Sequence, residues 1–131
     1  MEKGKKYYTS TMRIGIIGAG NIATAILSGI SSTDKNVNIC CSDVDQEQLS
    51  KIKKSKQIST TRNNLVAVTK SDLVFLCVKP NVIEKVMREI KPIFQPKQIL
   101  ISVAAGISLK TLESFLGKER KIIRTMPNLP C

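Results

Sequence analysis

Residues Arg13 to Ala23 read RIGIIGAGNIA, and three features of that stretch decide the fold. Ile14, Ile16 and Ile17 make a short β-branched run, Gly18, Gly20 and Ala23 follow at GxGxxA spacing, and Ile22, Ala25 and Ile26 open a helical period. The pattern predicts a strand, a tight turn and a helix. Each small residue contributes something different. Gly18 permits the turn, Gly20 lets the backbone approach a pyrophosphate, and Ala23 keeps the helix near the strand. The helix start adds free N–H groups and the positive end of the helix dipole. A glycine-rich turn can serve packing alone. Placed between a strand and a helix at the head of a βαβ pattern, however, it has the context that a dinucleotide fingerprint requires.

Downstream, strands and helices keep alternating. The first helix fades near Ile30, and a second strand, Val37 to Cys41, ends in Ser42 and Asp43. Asp43 lies about twenty residues beyond the glycines, where this fold faces the adenosine ribose; a carboxylate there accepts from both ribose hydroxyls and repels a 2′-phosphate. Asp45 with Gln48 looks like a capping box for a helix through about Lys54. A short strand surrounds Ile58, and Thr60 to Lys70 reads as a loop with one helical turn. Leu73 to Val78 is a continuous apolar run, typical of a parallel strand covered on both faces. Lys79 and Pro80 stop it, since proline cannot continue a ladder.

Val82, Ile83, Val86, Met87 and Ile90 then have helical spacing, and Ile99 to Val103 forms the next strand. It runs into Ala104, Ala105 and Gly106, small residues that leave room for a flat ligand. Ser108 caps a helix that Gly117 ends, and Ile122 to Arg124 is a final strand leading into Met126, Pro127 and Asn128. The expected fold is α/β: a Rossmann-type, doubly wound, mostly parallel sheet with helices on both faces. Met1 to Thr11 lacks an apolar period and reads as a mobile tail ahead of one domain, residues 12–131.

Composition bounds the function. The chain has 131 residues, 42% hydrophobic and 24% charged, enough for one domain with a core. No apolar run is long enough to cross a bilayer and no signal-type segment is present, so a soluble, cytoplasmic protein is expected. Its net charge of +11 favours anions, but with only three Phe and two Tyr it lacks stacking platforms for bases, and nucleic-acid binding is not expected. Of the four cysteines, Cys40 and Cys41 are adjacent, Cys77 falls in a predicted strand and Cys131 is the last residue. That spacing suggests neither metal site nor disulfide, only reduced thiols.

The strand-end loops offer almost no acid or base chemistry. Histidine is absent, Asp43 and Asp45 belong to the ribose end, and Ser102 has no partner base. What remains is chemistry carried by a cofactor, such as hydride transfer, with the protein providing position and electrostatics.

Four motifs in order, IGIIGAGNIATAIL, SDLVFLCVKP, LISVAAGISLKTLE and KIIRTMPNLP, resemble the N-terminal domain of pyrroline-5-carboxylate reductase over nearly everything from Met12 to Cys131. The resemblance implies NADPH or NADH as cofactor and reduction of the cyclic imine of 1-pyrroline-5-carboxylate to proline. It also implies that Ile17, Gly18, Ala19, Gly20, Asn21 and Ile22 hold the pyrophosphate and that Asp43, next to Ser42, stands at the ribose or 2′-phosphate position. Asn64 would lie near the adenosine. Cys77, Val78, Lys79 and Pro80, with Val103, Ala104 and Ala105, would flank the nicotinamide, and Met126, Pro127 and Asn128 would belong to the substrate-side loop.

Two departures accompany the match. Leu129 stands where the family's MPNTP has a hydroxyl, and family members continue into an all-helical second domain that forms the homo-oligomer and supplies most contacts to the imine. The expectation is therefore a cofactor-binding domain with little reductase activity by itself. A non-catalytic NAD(P)-binding module or regulatory relative is the alternative.

Overall fold

A computed structural model describes residues 11–126. The chain runs β1 (Met12–Ile17), α1 (Asn21–Thr33), β2 (Val37–Ser42), α2 (Gln46–Ser50), β3 (Ile58–Thr61) and α3 (Asn64–Thr69). It continues as β4 (Leu73–Leu76), a 3₁₀ turn (Pro80–Val82), α4 (Ile83–Ile90), β5 (Ile99–Ser102), α5 (Leu109–Leu116) and β6 (Lys121–Arg124). The six strands lie in the order β3-β2-β1-β4-β5-β6, and every pairing is parallel. The doubly wound sheet expected from the sequence is thus the one observed. Its order reverses between β1 and β4, so a crevice opens beyond the carboxyl ends of those two strands.

Alternation along the strands builds a core on each face. Ile14 and Ile16 of β1 pack with Ala23 and Leu27 of α1 and with Leu49, whereas Ile17 packs with Val68, Met87, Ile90 and Leu112 from α3, α4 and α5. In β4, Val74 and Leu76 join the second cluster, while Leu73 and Phe75 rest against the first. Because both faces are covered, this strand reads as unbroken apolar sequence.

Gly15 has a role that the sequence does not advertise. A Cβ there would run into the Ala67 carbonyl and lie 2.7 Å from Ser71 Oγ. The missing side chain seats α3 directly on β1.

Element ends shift from expectation for local reasons. α1 continues past Ile30 to Thr33, closed by the Asp34 N–H on the Ile30 carbonyl. α2 stops at Ser50 instead of Lys54, since Lys53, Lys54, Ser55 and Lys56 are all exposed and have no apolar face to bury. Asp45 caps it through the Glu47 N–H (2.9 Å), not through a reciprocal pair with Gln48. The segment read as a loop with one turn is a helix, α3, whose cap Asn63 accepts from the Leu65 N–H (3.0 Å). β4 ends at Leu76 and β5 at Ser102, short of Val78 and Val103. Ser108 caps α5 and Gly117 ends it at φ 119°. Of the expected tail, Thr11 is described, its hydroxyl donating to Asn36 Oδ1 (3.3 Å); the rest lies outside the described residues.

Candidate functional site

The crevice begins at the glycine turn. Gly18 has φ 102°, and a Cβ on it would sit 2.6 Å from the Cys77 carbonyl oxygen. Its N–H donates to the Ser42 carbonyl (2.7 Å), and the Cys77 N–H donates to the Ile17 carbonyl (2.8 Å), so the turn is clamped between the ends of β2 and β4. Gly20 differs from it. A Cβ there would meet nothing within 4 Å, and Gly20 is the N-cap of α1 with no side chain closing it. Open space beside the backbone and an uncapped helix start are what a pyrophosphate needs. Ala23, 1% exposed, lets α1 lie against β1 as its spacing predicts.

Along the β2 side the polar side chains are tied down. Asp43 Oδ2 accepts the Ala19 N–H (2.9 Å) and Oδ1 accepts the Asp45 N–H (2.8 Å), so one carboxylate links the glycine turn to the β2 loop. Ser42 is fully buried and its hydroxyl donates to Asn64 Oδ1 (2.7 Å), while Asn64 Nδ2 donates to Glu89 Oε1 (2.9 Å). Asn64 therefore braces β2 against α4 and forms part of the wall with both ends of its amide engaged. Arg62 donates to the Val44 carbonyl (3.0 Å).

A cavity of about 240 Å³ lies between these groups and the β4 loop. It brings together Ile17, Gly18, Asp43, Asn64, Val78 and Lys79 from the sequence-derived set. It is also lined by Asp45, which the sequence places with Asp43 at the ribose end, and by Val44, Gln48, Val82 and Val86, which sequence reading did not single out as site residues. Val82 and Val86 share the spacing of the α4 core stripe, and nothing in one sequence separates a valine that faces a ligand from one that faces the core. A neighbouring cavity of about 490 Å³ shares Val44, Asn64, Val82 and Val86 and adds Arg62.

The β5 side is plainer. The Val103 N–H pairs with the Leu76 carbonyl (3.3 Å), Val103 and Ala104 are buried, and Ala105 is exposed. None of the three lines the cavity. Asn21, exposed, and Ile22, half-buried, start α1, and Pro80 opens the 3₁₀ turn. Arg124 Nε donates to the Ile107 carbonyl (2.7 Å) and ties β6 to the loop after β5. Met126 is 66% exposed, and Pro127 and Asn128 lie outside the described residues.

Two thiols sit under the turn. Burial pushes Cys77 up to about 12. Cys41, whose Sγ approaches the Gly18 carbonyl (3.6 Å), is pushed up to about 12 by burial first and then by electrostatic repulsion from Cys77, Asp43 and Cys40. Both are protonated at neutral pH and make poor nucleophiles. Among the described residues no cluster of His, Cys, Asp or Glu could hold a metal ion.

A parallel sheet in this strand order, with a glycine turn and an uncapped helix at its switch point, defines a dehydrogenase-type dinucleotide-binding domain. Residues 13–106 match the model of the family described as NADP oxidoreductase, coenzyme F420-dependent, and the chain belongs to that family. Its motif-level resemblance to pyrroline-5-carboxylate reductase holds along the chain. It is 38% identical to pyrroline-5-carboxylate reductase of Pseudomonas aeruginosa over 122 residues, covering 92% of this chain and 45% of that one. It is 41% identical to pyrroline-5-carboxylate reductase 3 of Danio rerio, covering 92% of this chain and 42% of the relative. Among solved structures, the pyrroline-5-carboxylate reductase of Coxiella burnetii superposes with TM-score 0.84 at 34% identity, covering 92% of this chain and 46% of the other. The Plasmodium falciparum enzyme with NADP bound gives TM-score 0.73 at 25% identity, covering 89% and 42%. The chain thus spans under half the length of these relatives. Among the described residues, no helix is long and apolar enough to cross a membrane.

Proposed function

We propose that this chain is the cofactor-binding part of a pyrroline-5-carboxylate reductase. It holds NADPH or NADH in the crevice beyond β1, β2 and β4, with the hydride-bearing ring toward the β4 and β5 loops. In the reaction, a hydride adds to the carbon of the C=N bond of 1-pyrroline-5-carboxylate, the ring nitrogen ends with a proton, and the products are proline and the oxidised dinucleotide. The single observation that supports cofactor binding most is the contrast at the turn: Gly18 cannot carry a side chain, and Gly20 has open space where one would stand. The described groups of the crevice position a dinucleotide. Contacts to the imine are assigned to residues 126–128 and to the helical domain through which such enzymes form homo-oligomers. The proposed domain is residues 12–131 and the proposed location is cytoplasmic.

Titration with reduced dinucleotide, followed by its fluorescence, tests the reading. Saturable binding is expected, with imine turnover far below that of full-length relatives. Binding of neither NADH nor NADPH would sink the proposal. Turnover at a full-length rate would overturn the assignment of the imine contacts to a second domain.

A further inference from the structure

We infer that this chain selects NADH against NADPH, with Asp43 as the specificity-determining residue. The inference rests on the proposed dinucleotide binding and departs from the NADP of the family description and of the Plasmodium relative. It stands on side chains of this chain.

The fold puts the adenosine ribose at the end of β2, which is where Asp43 stands. Two N–H groups fix its carboxylate, Ala19 at 2.9 Å on Oδ2 and Asp45 at 2.8 Å on Oδ1. An ionised carboxylate accepts about four hydrogen bonds, so each oxygen keeps a free lone pair. Those two lone pairs suit the paired 2′- and 3′-hydroxyls of an unphosphorylated ribose. A 2′-phosphate offers nothing in return: it is mostly dianionic at neutral pH and is an acceptor, as the carboxylate is.

The surrounding charges strengthen the choice. Asp43 and Asp45 both line the cavity, whose one cation among the described residues is Lys79, held on the opposite wall by the β4 loop. Arg62 would be the natural partner for a 2′-phosphate, but it lines the neighbouring cavity and donates to the Val44 carbonyl at 3.0 Å. Within this cavity a phosphate on the ribose would therefore face two carboxylates and one cation, with Arg62 and Lys85 on the wall of the neighbouring cavity. Asp43 cannot swing aside without releasing the Ala19 N–H, which belongs to the glycine turn. Reading the ribose and shaping the pyrophosphate site are thus linked through one carboxylate.

The test is titration of the intact chain with NADH and with NADPH at fixed ionic strength, repeated for Asp43→Asn and Arg62→Ala. NADH is expected to bind about tenfold tighter or better, a difference of about 1.4 kcal/mol. Asp43→Asn should bring the two nucleotides to within about threefold, chiefly by weakening NADH, and Arg62→Ala should leave the ratio unchanged. Equal or tighter NADPH binding by the unmodified chain overturns the inference while leaving the proposed function intact. An unchanged ratio in a folded Asp43→Asn variant overturns the role of Asp43. Should that variant fail to fold, the titration of the unmodified chain decides alone. Binding of neither nucleotide overturns both the inference and the function on which it rests.

Discussion

The two halves of the crevice are built differently. Over β1, β2 and β3 the wall is a mesh of fixed polar side chains: Asp43 on Ala19 and Asp45, and Ser42 on Asn64, which reaches Glu89. Over β4, β5 and β6 it is mainly backbone and apolar residues with Lys79 in the β4 loop; Arg124 is tied to the Ile107 carbonyl at 2.7 Å, but the Ala104 N–H to Ser102 Oγ contact at 3.4 Å is weak by comparison. The difference teaches how the work is divided. On the proposed function the first half would hold the parts of a dinucleotide that never change during reaction, and recognition of that kind needs side chains held in place. The second half provides level strand ends and space, which suits a flat ring that must also admit a substrate.

The sharpest way to break that comparison is at the turn joining the halves. Gly18→Ala forces a side chain into positive φ and against the Cys77 carbonyl, and should cost about 4 kcal/mol, lowering Tm on the order of 15 °C in a thermal melt. Gly20→Ala meets no atom and should change stability by less than about 0.5 kcal/mol while weakening dinucleotide binding about tenfold or more. Equal stability losses at the two glycines would remove the distinction between the clamped turn at Gly18 and the open backbone at Gly20.

Alkaline pH comes next, because Cys41 and Cys77 stand one on each side of the turn. Both titrate near 12 in the folded chain against an ordinary value of 9.0. A raised folded value means that the neutral thiol stabilises fully below pH 9 and that this share is lost as pH climbs from 9 toward 12. The loss should approach about 1.4 kcal/mol per pH unit for each thiol. Urea midpoints at successive pH values should fall across that window, and less steeply in Cys41→Ala and Cys77→Ala variants. A slope indifferent to both substitutions would show that neither thiol is held neutral by the fold.

The smallest effect sharpens the contrast between the walls. Asn64→Ala leaves the buried Ser42 hydroxyl without its partner and should cost about 2 kcal/mol, whereas Ser102→Ala, losing only a long contact, should cost about 0.5 kcal/mol. Chemical denaturation of the two variants side by side measures the difference. Equal costs would mean that the polar mesh is no firmer than the apolar wall.

What sequence alone revealed follows the same division. The glycine turn, the parallel sheet, the apolar run of β4 and the caps Ser108 and Gly117 were legible because each rests on local spacing or on a backbone requirement peculiar to glycine, and the structure places them as read except that β4 stops at Leu76, two residues before Val78. The seat at Gly15 was hidden: a glycine inside a strand pattern says that something comes close, and only the fold shows that it is Ala67 and Ser71 of the α3 region. Asn64 was placed near the adenosine through resemblance, yet its bonds to Ser42 and Glu89 join residues 22 and 25 positions away. α2 came out short because charge and exposure, not its helical start, decide where it stops. Val44, Gln48, Val82 and Val86 joined the cavity wall through tertiary packing, which no periodicity encodes.

One consequence of the strand order concerns time rather than structure. β1 lies between β2 and β4, and its contact with β4 joins Ile14 to Leu73 across more than half of the described chain. Pairings so distant must await closure of a long loop, which places folding in the range of about milliseconds to seconds rather than microseconds. Until β4 arrives, β1 keeps one unpaired edge and the turn at Gly18 lacks the Cys77 carbonyl that shapes it. The crevice is thus completed only after β4 is captured, and a dinucleotide present during refolding should stabilise the finished state by mass action without hastening that capture.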